Sequence, residues 1–368
     1  MSARVCVVAA GGTGGHMFPA EALARELAGR GWRIVLATDR RGEQYATAFP
    51  AEERLALDAA TGSGPIGLAK AGLAIGRGVL QARSAFRRLD VAVAVGFGGY
   101  PSAPALLAAI SQGRPALLHE QNAVLGRTNR MLAPHVKALA SSFPALERVP
   151  APLASRVHLV GNPVRPDIRA LFDRPYKAPT ARGPIRVLIT GGSQGARILS
   201  EVAPRALAAL PPAVRARLVV QQQSRPETLE AARALYRDAG IEAEVAPFFT
   251  DMAARLSSVH LVIGRAGAST CSELAVAALP SVLIPLKIAM DDHQRFNAGG
   301  LVAAGGAAMI LEDEASVETL TASLAAVLSD PDRLAAMSAG ARSVALPDAA
   351  ARLADLVEAT AGQTASPR

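Results

Sequence analysis

Four glycines and a histidine fall within six residues near the start of the chain, Gly11-Gly12-Thr13-Gly14-Gly15-His16. Glycines lack a Cβ, so backbone N–H groups in such a turn can approach an anion closely. A helix that starts just beyond adds partial positive charge at the same spot. A phosphate or pyrophosphate suits that place. The histidine adds a group that gives or takes a proton near neutral pH, since imidazole ordinarily titrates at about 6.5. Two nucleotide motifs fail on spacing. G-x-G-x-x-G begun at Gly12 needs glycine where Met17 stands, and no Gly-Lys-Ser/Thr follows for a triphosphate loop. The bland alternative is a tight strand-to-helix turn, which needs fewer glycines.

Further polar groups cluster at comparable places. His119-Glu120-Gln121-Asn122 follows the apolar run Pro115–Leu118. Ligands of open α/β sheets bind at such strand ends. Gly96-Phe97-Gly98-Gly99-Tyr100-Pro101 is a second glycine turn, and Gly191-Gly192-Ser193-Gln194-Gly195-Ala196 a third. Gly264 to Glu273 reads as strand end, small-residue turn and helix start, a setting for a diphosphate. Glu273 there takes a ribose diol or merely complements the helix dipole. Asp291-Asp292-His293-Gln294 opens another helix, and its side chains hold sugar hydroxyls or cap the helix. Asp330-Pro331-Asp332 reads as a cap with proline at the first helical position rather than as a metal pair.

The elements that must position these groups alternate. Val5–Ala10 predicts a strand and Ala20–Leu27 a helix, with Pro19 in its first turn. Residues 42–66 read as irregular. Leu68–Arg88 predicts a helix with Leu68, Ile75, Val79 and Phe86 on one side and Lys70, Arg77 and Arg88 opposite. That helix is either packed on a sheet or faces a membrane. A helix is expected over about 124–132, and strands near 137–141 and 157–160. Gly11 and Gly191 stand 180 residues apart in a chain of 368, and the second half repeats the strand–turn–helix scheme. The expected architecture is α/β, with two doubly wound parallel sheets facing a cleft. The boundary falls in Gly161–Pro166, giving domains 1–162 and 163–345. A final helix, about 346–361, crosses back to the first.

Composition limits the partners. Half the residues are hydrophobic and only 4% aromatic, so the core is Ala, Leu and Val, and platforms for stacking nucleic-acid bases are scarce. The net charge of +8 favours phosphorylated ligands or an anionic lipid surface. No apolar run is long enough to span a bilayer or to read as a signal peptide. Cys6 and Cys271 both lie in apolar segments and read as reduced core residues.

The three glycine turns, His119-Glu120-Gln121-Asn122, Gly161-Asn162-Pro163-Val164-Arg165 and Asp292-His293-Gln294-Arg295-Phe296-Asn297-Ala298 occur in one order. That set resembles the bacterial MurG glycosyltransferases over residues 4 to about 345. The resemblance implies a GT-B fold and metal-free, inverting transfer of N-acetylglucosamine from UDP-N-acetylglucosamine. The implied acceptor is the 4-hydroxyl of undecaprenyl-pyrophosphoryl-N-acetylmuramoyl-pentapeptide, at the cytoplasmic face of the inner membrane. It implies no cofactor and no nucleic acid, and it favours peripheral binding of the Leu68–Arg88 segment to an anionic membrane surface.

Position by position, it implies that Ser193 and Arg165 contact the donor phosphates and that Phe248, Phe249 and Met252 line the uracil pocket. Ala268, Ser269 and Thr270 lie near the diphosphate, and Glu273 on the ribose. Gln294 and Asn122 read the sugar, while Thr13, Gly14 and Gly15 face the phosphates. Ser200 and His293 depart from the family pattern. For the base, His16 is one candidate; the other assigns Glu120 that role and leaves His16 on a phosphate. Competing functions are a GT-B transferase for another lipid or small acceptor, a dinucleotide-dependent oxidoreductase, and a non-catalytic basic binding protein.

Overall fold

Apolar runs buried on both faces form parallel strands, and amphipathic stretches between them form the covering helices. A computed structural model describes residues 3–12, 14–39, 42, 49–192 and 195–362. The chain divides into two units, residues 1–165 with 348–368, and residues 166–347.

The first unit runs β1 (Val5–Ala9), α1 (Gly14–Gly29), β2 (Arg33–Thr38), β3 (Glu53–Ala56), α2 (Gly64–Leu89), β4 (Val91–Gly96), α3 (Ala103–Ser111), β5 (Ala116–Glu120), α4 (Arg127–Leu132), β6 (Ala138–Ser141) and β7 (Val157–Leu159). Its sheet is parallel, in the order β3-β2-β1-β4-β5-β6-β7.

The second unit begins with α5 (Pro166–Arg169) and β8 (Ile185–Thr190), followed by α6 (Arg197–Ala208), α7 (Pro212–Arg215), β9 (Leu218–Gln223), α8 (Leu229–Asp238) and β10 (Glu242–Ala246). It continues through α9 (Met252–Leu256), β11 (Leu261–Gly264), α10 (Ala268–Val276), β12 (Ser281–Leu283), α11 (His293–Ala303), β13 (Ala307–Met309), α12 (Val317–Leu328) and α13 (Pro331–Ser343). Its parallel order is β10-β9-β8-β11-β12-β13. Both are doubly wound, Rossmann-like sheets.

The two-residue period of β1 explains how the first sheet is covered. Val5, Val7 and Ala9 join a core with Phe86 of α2 and Leu106 of α3. Cys6 and Val8 face the other way, into a core with Met17 and Leu23 of α1. That second core also takes Leu353, Ala354 and Val357 of α14 (Ala349–Gly362), the last helix. Arg30 pairs with Asp355 and Glu358, and Trp32 donates to Glu358, so α14 is tied to this unit by charge as well as by packing. Cys6 and Cys271 are both buried thiols without a disulfide.

Several local readings differ from the structure. A short strand, β3, lies inside the stretch read as irregular; it is a half-exposed edge strand, which leaves little apolar pattern. Helix α1 starts at Gly14, so Pro19 sits inside it rather than in its first turn, and His16 becomes a first-turn residue. Helix α4 starts at Arg127, because Leu125 and Glu147 instead pair Ala123–Leu125 with a neighbouring extended segment.

Helix α2 has the largest difference. Val79 and Phe86 face the core together with Ala71, Gly78 and Ala82, Ile75 is half-buried, and Leu68, expected on the same side, is exposed. Gly78 is required there, since a Cβ would stand 2.2 Å from the Asp58 carbonyl oxygen. The opposite, exposed side carries Ile66, Lys70, Leu73, Arg77, Leu80, Ser84 and Arg87 at helical spacing. Ile66, Leu73 and Leu80 are 74%, 59% and 69% exposed. Apolar and basic residues therefore alternate along one outward stripe; the wheel built from Leu68, Ile75, Val79 and Phe86 places Lys70 and Arg77 on it but not Ile66, Leu73 and Leu80. Arg83 donates to Ser111 and Arg88 pairs with Glu53, so neither belongs to it.

Candidate functional site

In the first sheet the order reverses between β1 and β4, and loops leave their C-terminal ends toward opposite faces. Crevices of this kind are where doubly wound sheets bind ligands. The segments after β1, β4 and β5 emerge there. Gly11 is needed because Asp39, just after β2, comes within 2.6 Å of where its Cβ would be. Asp39 accepts from the Gly12 N–H at 3.2 Å and from the Tyr100 hydroxyl at 3.3 Å, which ties three loops together. Gly14 is buried and Gly15 exposed; Thr13 lies outside the described residues.

His16 is half-buried, and its Nδ1 lies 3.0 Å from Gln121 Oε1. Behind it, Gln121 Nε2 lies 3.0 Å from His119 Nδ1, and His119 Nε2 lies 2.9 Å from the Gly161 carbonyl oxygen. His119 is fully buried against the Phe97 ring, and burial lowers its pKa to about 4.

Glu120 is also buried. One carboxylate oxygen accepts from the Asn122 N–H and the Asn122 amide, at 3.0 and 3.2 Å. The other accepts from the Gly126 N–H and the Asn129 amide, at 2.9 and 2.7 Å. This carboxylate fixes the 122–129 loop, and its lone pairs are taken up in doing so. It also orients Asn122.

The second sheet has its own reversal, between β8 and β11. Ser193 lies outside the described residues. Gln223 holds the turn before it, accepting from the Thr190 hydroxyl and donating to the Gly192 carbonyl, both at 2.9 Å. Ala268, Ser269 and Thr270 are the first three residues of α10, behind Gly267. The leading N–H groups of a helix have no partner inside it and carry partial positive charge. Ser269, Thr270 and Glu273 are half-buried at this end.

Arg265, just after β11, is buried and donates to the Ile284 and Pro285 carbonyls and to Glu312. It thereby fastens the β11 loop to the β12 loop. Gln294 accepts from the Leu286 N–H at 2.9 Å, which fixes the oxygen side of its amide.

Other expected ligand residues are spread more widely. Phe248 is 60% exposed, whereas Phe249 is buried beneath the Arg255 guanidinium, 3.6 Å from its ring centre. Met252, the first residue of α9, is half-buried. Arg165 packs with the first unit, its guanidinium over the Phe18 ring. Ser200 is buried and bonds to Ala196 and Arg225 rather than facing outward. His293 Nδ1 lies 2.8 Å from the Met290 carbonyl oxygen. Asp330 caps α13 through the N–H groups of Asp332 and Arg333. Asp39, Asn129 and Arg265 were not singled out from the sequence. Asp39 and Arg265 each follow a buried strand directly, which was the available signal.

The glycosyltransferase family 28 N-terminal domain matches residues 6–141, and the family 28 C-terminal domain residues 186–353. A relative in Caulobacter vibrioides is 63% identical, over 97% of this chain and 99% of its own length. One in Phenylobacterium zucineum is 57% identical, with the same coverage. Each carries the name UDP-N-acetylglucosamine–N-acetylmuramyl-(pentapeptide) pyrophosphoryl-undecaprenol N-acetylglucosamine transferase. The crystal structure of Acinetobacter baumannii MurG superposes with a TM-score of 0.80 at 32% identity, covering 97% of this chain and 99% of that one. A UDP-N-acetylglucosamine 2-epimerase from Listeria monocytogenes, 15% identical, shares the fold, with a TM-score of 0.69 over 100% of this chain and 99% of that one. The chain belongs to glycosyltransferase family 28, within the MurG group of N-acetylglucosamine transferases.

Proposed function

We propose that this protein transfers N-acetylglucosamine from UDP-N-acetylglucosamine to lipid-linked N-acetylmuramoyl-pentapeptide, making the disaccharide precursor of peptidoglycan. The observation that carries this reading is the full-length match, at 63% identity, to a relative bearing that activity in its name. The geometry of each sheet's reversal point supports it. Turn amides and the α10 N-terminus suit the diphosphate leaving group, with Glu273 on the ribose and the Gln294 amide on the sugar. His16 takes the proton of the acceptor's 4-hydroxyl. The hydroxyl oxygen bonds to the anomeric carbon as that carbon's bond to UDP breaks, the electron pair leaving with UDP, and the configuration inverts. Glu120 acts by holding Asn122 and its loop. Leaving-group charge falls on backbone dipoles in this scheme, so EDTA should leave turnover unchanged.

Mass spectrometry of the product formed from UDP-N-acetylglucosamine and the lipid-linked acceptor tests the activity. The expected result is a gain of one N-acetylhexosamine on the acceptor. Unchanged acceptor, with sugar passing instead to a diacylglycerol or a small aglycone, would favour another acceptor class.

Membrane contact falls to the outward stripe of α2, with Ile66, Leu73 and Leu80 inserting among Lys70, Arg77 and Arg87. No helix among the described residues is long and apolar enough to cross a bilayer. Each basic residue near an anionic surface contributes about 1 kcal/mol before screening. The triple variant K70E/R77E/R87E should lose binding to anionic vesicles and keep UDP binding. Undiminished vesicle binding would move the membrane face elsewhere.

A further inference from the structure

The polar run after β5 contains a proton-ordering chain. The Gly161 carbonyl can only accept, so His119 Nε2, 2.9 Å away, must carry a proton. Burial keeps His119 neutral at pH 7, which leaves Nδ1 as an acceptor. The Gln121 group 3.0 Å from Nδ1 must then be its N–H₂. The second amide proton has its own acceptor in the His119 carbonyl oxygen, at 3.4 Å. This orientation turns Gln121 Oε1 toward His16, where it lies 3.0 Å from Nδ1 and can only accept. His16 Nδ1 therefore bears the proton. In the neutral ring the lone pair is then on Nε2. That nitrogen lies beside Gly99, 3.6 Å from where a Cβ on this glycine would stand.

The geometry points to His119 and Gln121 as positioning residues that fix the tautomer of His16, so that Nε2 faces the acceptor as a free base. The proposal rests on the reading of His16 as the base. Each member has one allowed role, set by a backbone carbonyl 42 residues downstream of His119. Once Nε2 has taken the substrate proton, the Nδ1–H bond to Gln121 Oε1 holds the imidazolium in place. A histidine with a freely reversing amide partner would spend part of its time with Nε2 protonated and inactive.

The test is the tautomer itself. Two-bond ¹H–¹⁵N spectra of ¹⁵N-histidine-labelled protein at pH 8, assigned with H16Q, should show His16 protonated on Nδ1. In H119F, Gln121 loses the acceptor that orients it. His16 should then show a mixture of tautomers, and kcat should fall at least tenfold with UDP affinity unchanged. H119N puts an amide oxygen near the old Nδ1 position and should restore both the tautomer and most of kcat. A parent protein with His16 protonated on Nε2 overturns the proposal, and this outcome needs no variant to fold. An H119F that keeps the tautomer and kcat of the parent overturns it too. If H16A retains near-normal kcat, the base reading has failed, whereas the spectra still report on the relay.

Discussion

The two reversal points share a sheet topology and a glycine turn but differ in what stands on them. The first carries a hydrogen-bonded series, His16 in the first turn of α1, then Gln121 and His119 at the buried end of β5. The second carries the open end of α10 and loops tied down by Arg265 and Gln223. In the proposed scheme the first of these rims moves a proton and the second holds an anion still. A repeated fold thus supplies two different chemistries, because ligand contacts come from loops while the sheets only set where those loops begin.

The largest effect on the anion-holding rim is expected from R265A. It strips the Ile284 and Pro285 carbonyls of a donor and leaves Glu312 without its cation, at a cost of about 3–5 kcal/mol. Hydrogen exchange should show β11 and β12 opening far more easily, with β1 and β4 unaffected. Equal loosening of both sheets would mean that the units do not unfold separately.

Next comes E273A, which should weaken UDP binding about tenfold by calorimetry, in keeping with a lost hydrogen bond to a charged group. A change in kcat with unchanged UDP affinity would place proton chemistry on the wrong rim.

Acid separates the units as well. Burial lowers the pKa of His119 to about 4 from an ordinary 6.5, and burial with Arg186 and Arg217 does the same to His260 in the second unit. Between pH 6.5 and 4 the unfolded chain takes up these protons and the folded chain does not, so stability falls with falling pH. H119N should flatten that slope for the first unit and H260Q for the second, in urea unfolding followed across the window. Slopes that survive both substitutions would trace acid sensitivity to other groups.

The smallest effect is expected from S200A. Ser200 is buried and bonded to its own helix and to the Arg225 N–H. Its loss should cost about 1 kcal/mol of stability and leave UDP affinity alone. A tenfold loss of affinity would return Ser200 to the ligand.

Much of this was legible beforehand because strand ends write themselves in sequence. Buried parallel strands are continuous apolar runs, so the polar residues that follow, His119 to Asn122 or the turn at Gly191, mark the ligand-binding edge. What stayed hidden depends on direction. Glu120 and His119 are neighbours in one strand, yet one clamps a loop and the other orders a proton chain, and alternation alone does not say which. The outward stripe of α2 was hidden for a similar reason. The buried side carries the small residues Ala71, Gly78 and Ala82, with Gly78 close against Pro104 of α3, so the core side is the less greasy one at its start, and Ile66, Leu73 and Leu80 are left outside. Arg255 over Phe249 shows the same limit, since an aromatic pair in sequence splits into one exposed and one covered ring.

The division of labour between the rims is tested most directly by measuring kcat and UDP affinity on one preparation of H16A. Loss of a general base should lower kcat on the order of 10²-fold or more and leave the Kd for UDP unchanged. A Kd that rises in step with the fall in kcat would contradict the account, because His16 would then be a phosphate ligand and the proton would have to leave by another route.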